Sequence, residues 1–415
     1  MHSGQAKGER ERSWVFGLLI APYGIFSNGI VQGGVIGYLL SRQGIGSATQ
    51  SHVIAWLSLP TSLYFLWSPI TDFFVRRRTW LLGGALVSAV LMDMSLRQPN
   101  LSSIAALTLG FVAACCGQLV VSSAGGMMGA LQSDATRRRA SCLYQAGSMG
   151  FGALAAWVLI YLSARASHDA LALVAGLLIA VPALAVFAAP RQEYIKGGTF
   201  GATMGRVWAE FKATFFRREA IPYIACMTFP MASGSAIGLL PGVARQYGVS
   251  GDQVAWINGL LGALLIAGGA AAIPLVRTRM RAPVFYMIVA LVNCACLSIL
   301  WLGPIEPRTY FAGTTLYLFT EGCCYAMFTV VLLEFMGDSG KSGSARYSII
   351  NSLGNIPVLY MLQVDGWGGE RWGGRGLAGA ETVVGGIGAL VLLVWLLTWK
   401  PARLPLASEG AAGAE

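Results

Sequence analysis

Glu321 lies about twelve residues into an apolar run that extends from residue 309 to residue 336. Tyr317 and Tyr325 stand four residues before and four after it, so a helix would place all three on one face. An ionisable side chain that deep in an apolar segment is expensive, and such residues are functional candidates by default. The chemistry on offer is reversible protonation, with the tyrosine hydroxyls as hydrogen-bond donors. The bland alternative is a neutral carboxyl group bonded to a neighbouring helix.

Amides repeat with helical spacing in three other apolar runs. Asn28 and Gln32, Gln118 and Ser122, and Asn351 and Asn355 are each four residues apart, and Gln145 adds a further amide. Buried amides are costly unless satisfied, so these faces should turn toward protein or a wet cavity. Inter-helix hydrogen bonds would satisfy them equally well. Tyr23, Tyr64, Trp67, Ser233 and Asn258 are second-rank lining candidates. Asp72 is followed by Arg76, Arg77 and Arg78; this group can form salt bridges that close a gate, or simply anchor a loop. Glu334 and Asp93 read as carboxylates at helix ends, and nearly all the remaining acids fall in loops. The eight cysteines show no CxxC spacing, the three histidines are scattered, and no GxxxxGK[ST] loop is present. No metal, no cofactor and no catalytic group is expected.

These residues need long apolar elements to hold them. Of 415 residues, 55% are hydrophobic and 12% charged, against about 25% charged in soluble domains; the mean hydropathy is +0.61. That composition excludes an ordinary soluble enzyme and a disordered chain, and the basic excess does not point to nucleic acid. Twelve apolar runs are long enough to span a bilayer: 14–40, 51–70, 79–96, 101–127, 140–163, 169–189, 220–241, 252–275, 283–303, 309–336, 344–364 and 381–399. The first is too long for a cleavable signal. With the N-terminus in the cytoplasm, 22 of the 29 Lys and Arg fall on the inner side. This bias predicts both termini inside and accounts for the net charge of +10 as topology against an anionic leaflet.

The longest hydrophilic interval, 190–218, divides the spans six and six. Within it Val207, Trp208, Phe211 and Phe215 form one face of an amphipathic helix beside Arg206, Glu210 and Lys212. The expected organisation is an N-terminal six-helix bundle (1–190), a cytoplasmic linker (191–219), a C-terminal six-helix bundle (220–400) and a cytoplasmic tail (401–415). Basic loops recur at matching places, as in Asp72 to Arg78 and Arg277 to Arg281, or Asp134 to Arg139 and Asp338 to Arg346. Gly29, Gly33 and Gly37 suit close helix approach. Residues 365–376, rich in Gly and Trp, read as an outer loop.

Phe65-Leu-Trp-Ser-Pro69, Asp72 and Arg76-Arg-Arg-Thr-Trp-Leu-Leu82 resemble the AmpG-like permease branch of the major facilitator superfamily, as does Ser344-Ala-Arg-Tyr-Ser-Ile-Ile-Asn-Ser-Leu-Gly354. Glu321 stands where that branch often has an acid. The resemblance implies an all-α membrane protein with twelve helices in two pseudo-symmetric six-helix bundles. It implies a monomeric secondary transporter in the cytoplasmic (inner) membrane, working by proton symport on a small amphipathic solute. It also implies a cavity lined by spans 1, 4, 7 and 10. Leu119 and Ser123 stand where muropeptide permeases carry acids, which favours the RhtX/FptX-like siderophore importers over anhydro-muropeptide permeases. A membrane-embedded acyl- or lipid-modifying enzyme is the reading from another class; it would need a cluster of carboxylates or histidines near one interface.

Overall fold

A computed structural model describes residues 13–66, 70–71, 75–129, 131, 134–189, 200–276, 278–336, 350 and 352–398. Asp72, Trp67, Asn351, the first part of the linker, the 338–346 loop and the 401–415 tail fall outside them. Among the described residues, helices are the only regular structure. Nine helical segments among the described residues are long and apolar enough to cross a membrane. The last of these contains two helices, because Trp372 and Gly373 break the run Ile356–Thr398. Two more spans fall short of that length only because of how their helices are divided: Ser47–Ser62 forms span 2, and Ile221–Thr228 with Ser235–Val243 form span 7. The total is twelve, arranged as two six-helix bundles.

The other spans run Val15–Arg42 (span 1), Arg77–Leu96 (3), Ile104–Gly129 (4), Asp134–Ser163 (5), His168–Ala188 (6), Gly251–Leu275 (8), Ala282–Leu302 (9) and Pro307–Met336 (10). Two of these spans start on a side-chain cap. Ser167 accepts from the Ala170 N–H, and Ser250 and Gln253 form a reciprocal capping box at the head of span 8. The linker helix covers Phe200–Phe215; its Trp208 stacks on Phe211, and Phe215 packs against Phe335 of span 10.

Residues 365–376 are not an outer loop. Span 11 continues as helix through Arg371, and span 12 starts at Gly374. Gly373 makes the reversal with φ of +63°, a conformation that favours glycine, while the Gly374 N–H donates to Gln246 Oε1 at 2.6 Å. Gly368 and Gly376 lie backbone to backbone, so that a Cβ on Gly376 would collide with the Gly368 carbonyl. The glycines that depress local hydropathy are the residues that let these two helices approach so closely.

Span 7 is broken rather than continuous. Pro230 supplies no N–H and drives Phe229 to extended backbone, φ −73° and ψ 154°. Ala232 and Gly234 then both take positive φ, and the second helix begins at Ser235. The carbonyl of Thr228 freed by the break accepts from the Tyr360 hydroxyl of span 11 at 2.6 Å. Span 1 carries a π-helical stretch, Gly24–Val31, and span 8 another, Ala255–Leu261; both pack against span 5.

The two bundles meet differently at their two ends. Away from the chain termini one apolar core runs through both, joining Tyr38 and Ile54 to Leu239, Tyr310 and Leu377. There span 1 packs on span 7, span 2 on span 11 and span 5 on span 8. Arg165 adds a two-pronged ion pair to Asp252, at 2.7 and 2.8 Å. Toward the N-terminus each bundle has its own core, around Phe16, Leu19 and Val120 in one and around Met227, Leu332 and Phe335 in the other. Among the described residues the two bundles thus share a core at one end and keep separate cores at the other, the parted end.

The closed end depends on small residues. A Cβ on Gly37 of span 1 would overlap the Gly238 carbonyl of span 7. Gly37→Leu should therefore push these helices apart, at the roughly 1–3 kcal/mol typical of overpacking. The expected outcome is a lower melting temperature together with faster labelling of a single cysteine introduced at Ser235. Unchanged labelling would show that this contact does not hold the end closed.

Candidate functional site

A cavity of about 300 Å³ lies between the bundles at mid-height. Span 1 contributes Tyr23, Asn28 and Gln32, span 4 Gln118, and span 5 Tyr144, Gln145 and Ser148; the second bundle supplies residues 231–235, Ile237, Gly238, Tyr286, Tyr325, Phe328 and Asn355. Its wall continues to Met227 and Leu332, which belong to the separate core at the parted end. Among the described lining residues none is Asp, Glu, Lys, Arg or His. The wall is aromatic, amide and thioether in character, suited to stacking and hydrogen bonding rather than to charge pairing.

The expected amides sort into bonded and open groups. Asn28, turned by the π-helical stretch of span 1, donates from Nδ2 to Ser148 Oγ at 2.9 Å. Gln118 is almost fully buried and donates to Thr61 Oγ1 at 3.2 Å, while its carbonyl oxygen has no partner among the described residues. The Ser122 hydroxyl is equally unpartnered. Gln32, Gln145 and Asn355 line the same space. Asn258 faces Tyr310 instead, accepting its hydroxyl at 3.0 Å. Of the expected gate, Arg76 is exposed and Arg77 reaches from the start of span 3 to the Gly126 carbonyl of span 4 at 2.5 Å. Arg78 is half-buried beside it.

Glu321 stands one layer behind the wall. It is fully buried, and among the described residues neither carboxylate oxygen makes a hydrogen bond. A Cβ on Gly234 would lie 3.1 Å from Glu321 Oε1 and would overlap the Tyr325 hydroxyl, so the carboxyl is aimed at the break in span 7. Tyr325 reaches the cavity, whereas Tyr317 is buried away from it with its hydroxyl unpartnered among the described residues.

Two further acids share that region, and neither was expected there. Asp365 and Glu381 are 0% and 2% exposed, on spans 11 and 12 where the sequence reads as loop and span end. Ser235 Oγ lies 2.5 Å from Asp365 Oδ2 and 2.9 Å from Glu381 Oε2, and Ser233 Oγ lies 3.0 Å from Glu381 Oε1. Both serines line the cavity. The signal available in sequence was the pair of acids embedded in glycines with helical spacing, which marks tightly packed helices rather than a loop.

Known proteins share this fold. The model of the Major Facilitator Superfamily matches residues 14–359. Among solved structures, a point mutant of the nucleoside transporter NupG superposes with a TM-score of 0.70 at 13% identity, over 93% of this chain and 98% of the other. A D-xylose–proton symporter gives 0.65 at 11% identity, over 92% and 95%. A POT family transporter in complex with a thioalcohol-conjugated peptide gives 0.65 at 12%, over 93% and 95%. At these identities the likeness is one of fold. No curated protein sequence matches the chain. The match over 14–359, with twelve spans in two bundles around one cavity, makes this membrane-spanning chain a member of the major facilitator superfamily.

Proposed function

We propose that this protein is a proton-coupled secondary transporter that imports a small amphipathic solute by alternating access. The observation that carries this reading is the cavity between the bundles, walled by amides and aromatic rings and backed by the unpartnered carboxyl of Glu321. Binding at the midplane between repeats is how such folds expose one site to either side in turn. With the N-terminus in the cytoplasm, as the arginine bias expects, the parted end faces inward and this conformation is inward-facing. The site is then in the cytoplasmic (inner) membrane, between bundles bounded by 1–190 and 220–400, in a chain that works as a monomer. Asp72 with Arg76, Arg77 and Arg78 is the proposed inner gate, and Asn355 with Asn351, which lies outside the described residues, is the proposed amide pair of span 11.

The charge-free wall bears on the solute. A strongly anionic ligand, such as an anhydro-muropeptide or acyl-coenzyme A, would leave its charges unpaired against the described lining residues. A siderophore with hydrogen-bonding groups on an apolar frame suits it better, in keeping with the resemblance to the AmpG-like branch and its siderophore importers. Ligand that binds the folded state raises the melting temperature by mass action. A panel of ferric siderophores, anhydro-muropeptides and acyl-coenzyme A on the purified protein should show a shift with a siderophore. A shift with the muropeptide alone would overturn the choice of solute.

Two substitutions test the roles. Glu321→Gln keeps the shape and removes the titrating proton. In proteoliposomes it should abolish pH-gradient-driven accumulation while leaving solute counterflow intact; full accumulation would sink the coupling role. Gln118→Leu removes a buried carbonyl that lacks a protein partner among the described residues. The melting temperature of the ligand-free protein should change little, because relief of the unpartnered carbonyl offsets the lost bond to Thr61. Solute affinity should fall about tenfold, the equivalent of roughly 1.4 kcal/mol. Unaltered affinity would exclude Gln118 from the binding site.

A further inference from the structure

The serines at the break in span 7 hold more oxygen contacts than their own hydrogens can fill. Ser233 Oγ and Ser235 Oγ lie 2.9 Å apart, Ser233 contacts Glu381 at 3.0 Å, and Ser235 contacts Glu381 at 2.9 Å and Asp365 at 2.5 Å. These are four oxygen-to-oxygen contacts, and the two hydroxyls supply two hydrogens. The Ser235 N–H donates to Ser233 Oγ at 3.1 Å and adds nothing to the carboxyl contacts. With both acids ionised, two of the four contacts would bring oxygens together with no hydrogen between them. A separation of 2.5 Å is that of an O–H···O⁻ bond.

No cation offsets the pair among the described residues. Its titratable neighbours are Glu321, Tyr317 and Tyr325 on span 10, Cys294 on span 9 and Tyr360 on span 11. No Lys, Arg or His is among the described groups that act on it. A second feature converges on the same place from another helix. Glu321, fully buried and unbonded among the described residues, points at Gly234, between the two serines. Asp365 Oδ1 is likewise buried without a partner among the described residues.

We infer that Asp365 and Glu381, bridged by Ser233 and Ser235, form a second proton-binding site that carries at least one proton in this conformation. The site is distinct from Glu321 and stands whether or not Glu321 couples transport. The proton resides on a carboxyl oxygen, and its hydrogen occupies one of the contacts the hydroxyls leave empty. When it is released to the cavity through the serines, two adjacent carboxylates remain, and Ser235, whose one hydrogen can bond only one of them, must let the other go. Ser235 begins the span 7 helix that packs on span 1 through Gly238 and Gly37. Occupancy of the site is thereby linked to closure of the end away from the termini.

The test is infrared spectroscopy of the full-length Glu321→Gln protein in lipid nanodiscs, through a pH titration in sodium-free buffer. At neutral pH the spectrum should contain the C=O band of protonated carboxyl, equal to at least one group per chain, and the band should disappear as pH rises. Labelling aspartate or glutamate with ¹³C should shift it without any further substitution. Adding Asp365→Asn and Glu381→Gln, which mimic the protonated groups and so should preserve the fold, should remove it. Absence of the band in the Glu321→Gln protein overturns the inference. So does a band that survives the triple substitution, or one that sodium displaces at constant pH with a gain in melting temperature, which would make this a metal-cation site. None of these readings depends on transport, so a failed uptake assay and a failed proton site can be told apart.

Discussion

A helix that breaks inside a bilayer must have every freed polar group satisfied by protein, because hydrocarbon offers no partner. In this molecule that requirement falls on residues 229–234. Pro230 removes a donor and fixes extended backbone before it, and positive φ at Ala232 and Gly234 turns the chain into the next helix. Tyr360 from span 11 takes up the Thr228 carbonyl, and Ser233 takes up the Ser235 N–H. The same two serines then hold the carboxyls of spans 11 and 12. The break thus lines the cavity, separates the first half of span 7 from the second, and places three acids around one turn of backbone.

The apolar runs made the spans legible, and Glu321 was legible for the same reason, as a lone charge in hydrophobic surroundings. Asp365 and Glu381 were hidden by their company. Glu370, Arg371, Arg375 and seven glycines between 366 and 379 lower the local hydropathy to that of a loop. Yet glycine contributes to a membrane helix by what it lacks. Gly366 and Gly369 sit against Ser51 and Ser47 of span 2, and Gly368 against Gly376, and no average over a window reports that kind of packing. The π-helical stretches of spans 1 and 8 were out of reach too. They depend on fitting Gly24, Gly29 and Gly259 against the backbone of span 5, a tertiary demand rather than a local propensity.

In the proposed transport cycle, the cavity wall and the acids behind it divide the work of selection from that of coupling. A wall of amides and aromatic rings recognises a solute by shape, stacking and hydrogen bonds. Such a wall keeps its character whether or not a neighbouring carboxyl is protonated. Acids placed directly in the cavity would instead make solute affinity depend on their own charge. Setting them behind Gly234 and Tyr325 lets their titration act on backbone position, through the serines and the hinge, while the lining side chains stay as they are.

What holds the far end closed must also be able to let go. The Arg165–Asp252 pair is exposed, and exposed pairs contribute only about 0–1 kcal/mol, so it sets alignment more than stability. The shared apolar core and the backbone contact of Gly37 with Gly238 carry the closure. Contacts of that kind are bistable, since closely packed backbones either touch or part as a unit and do not stretch. A small free-energy input then suffices to choose between states, provided it enters where the two bundles join. The helix that makes the Gly238 contact starts at Ser235, three residues from it, and Ser235 is the residue bonded to both Asp365 and Glu381. On the proposed reading, proton occupancy of that carboxyl pair is therefore a more direct lever on closure than any change at the exposed ion pair.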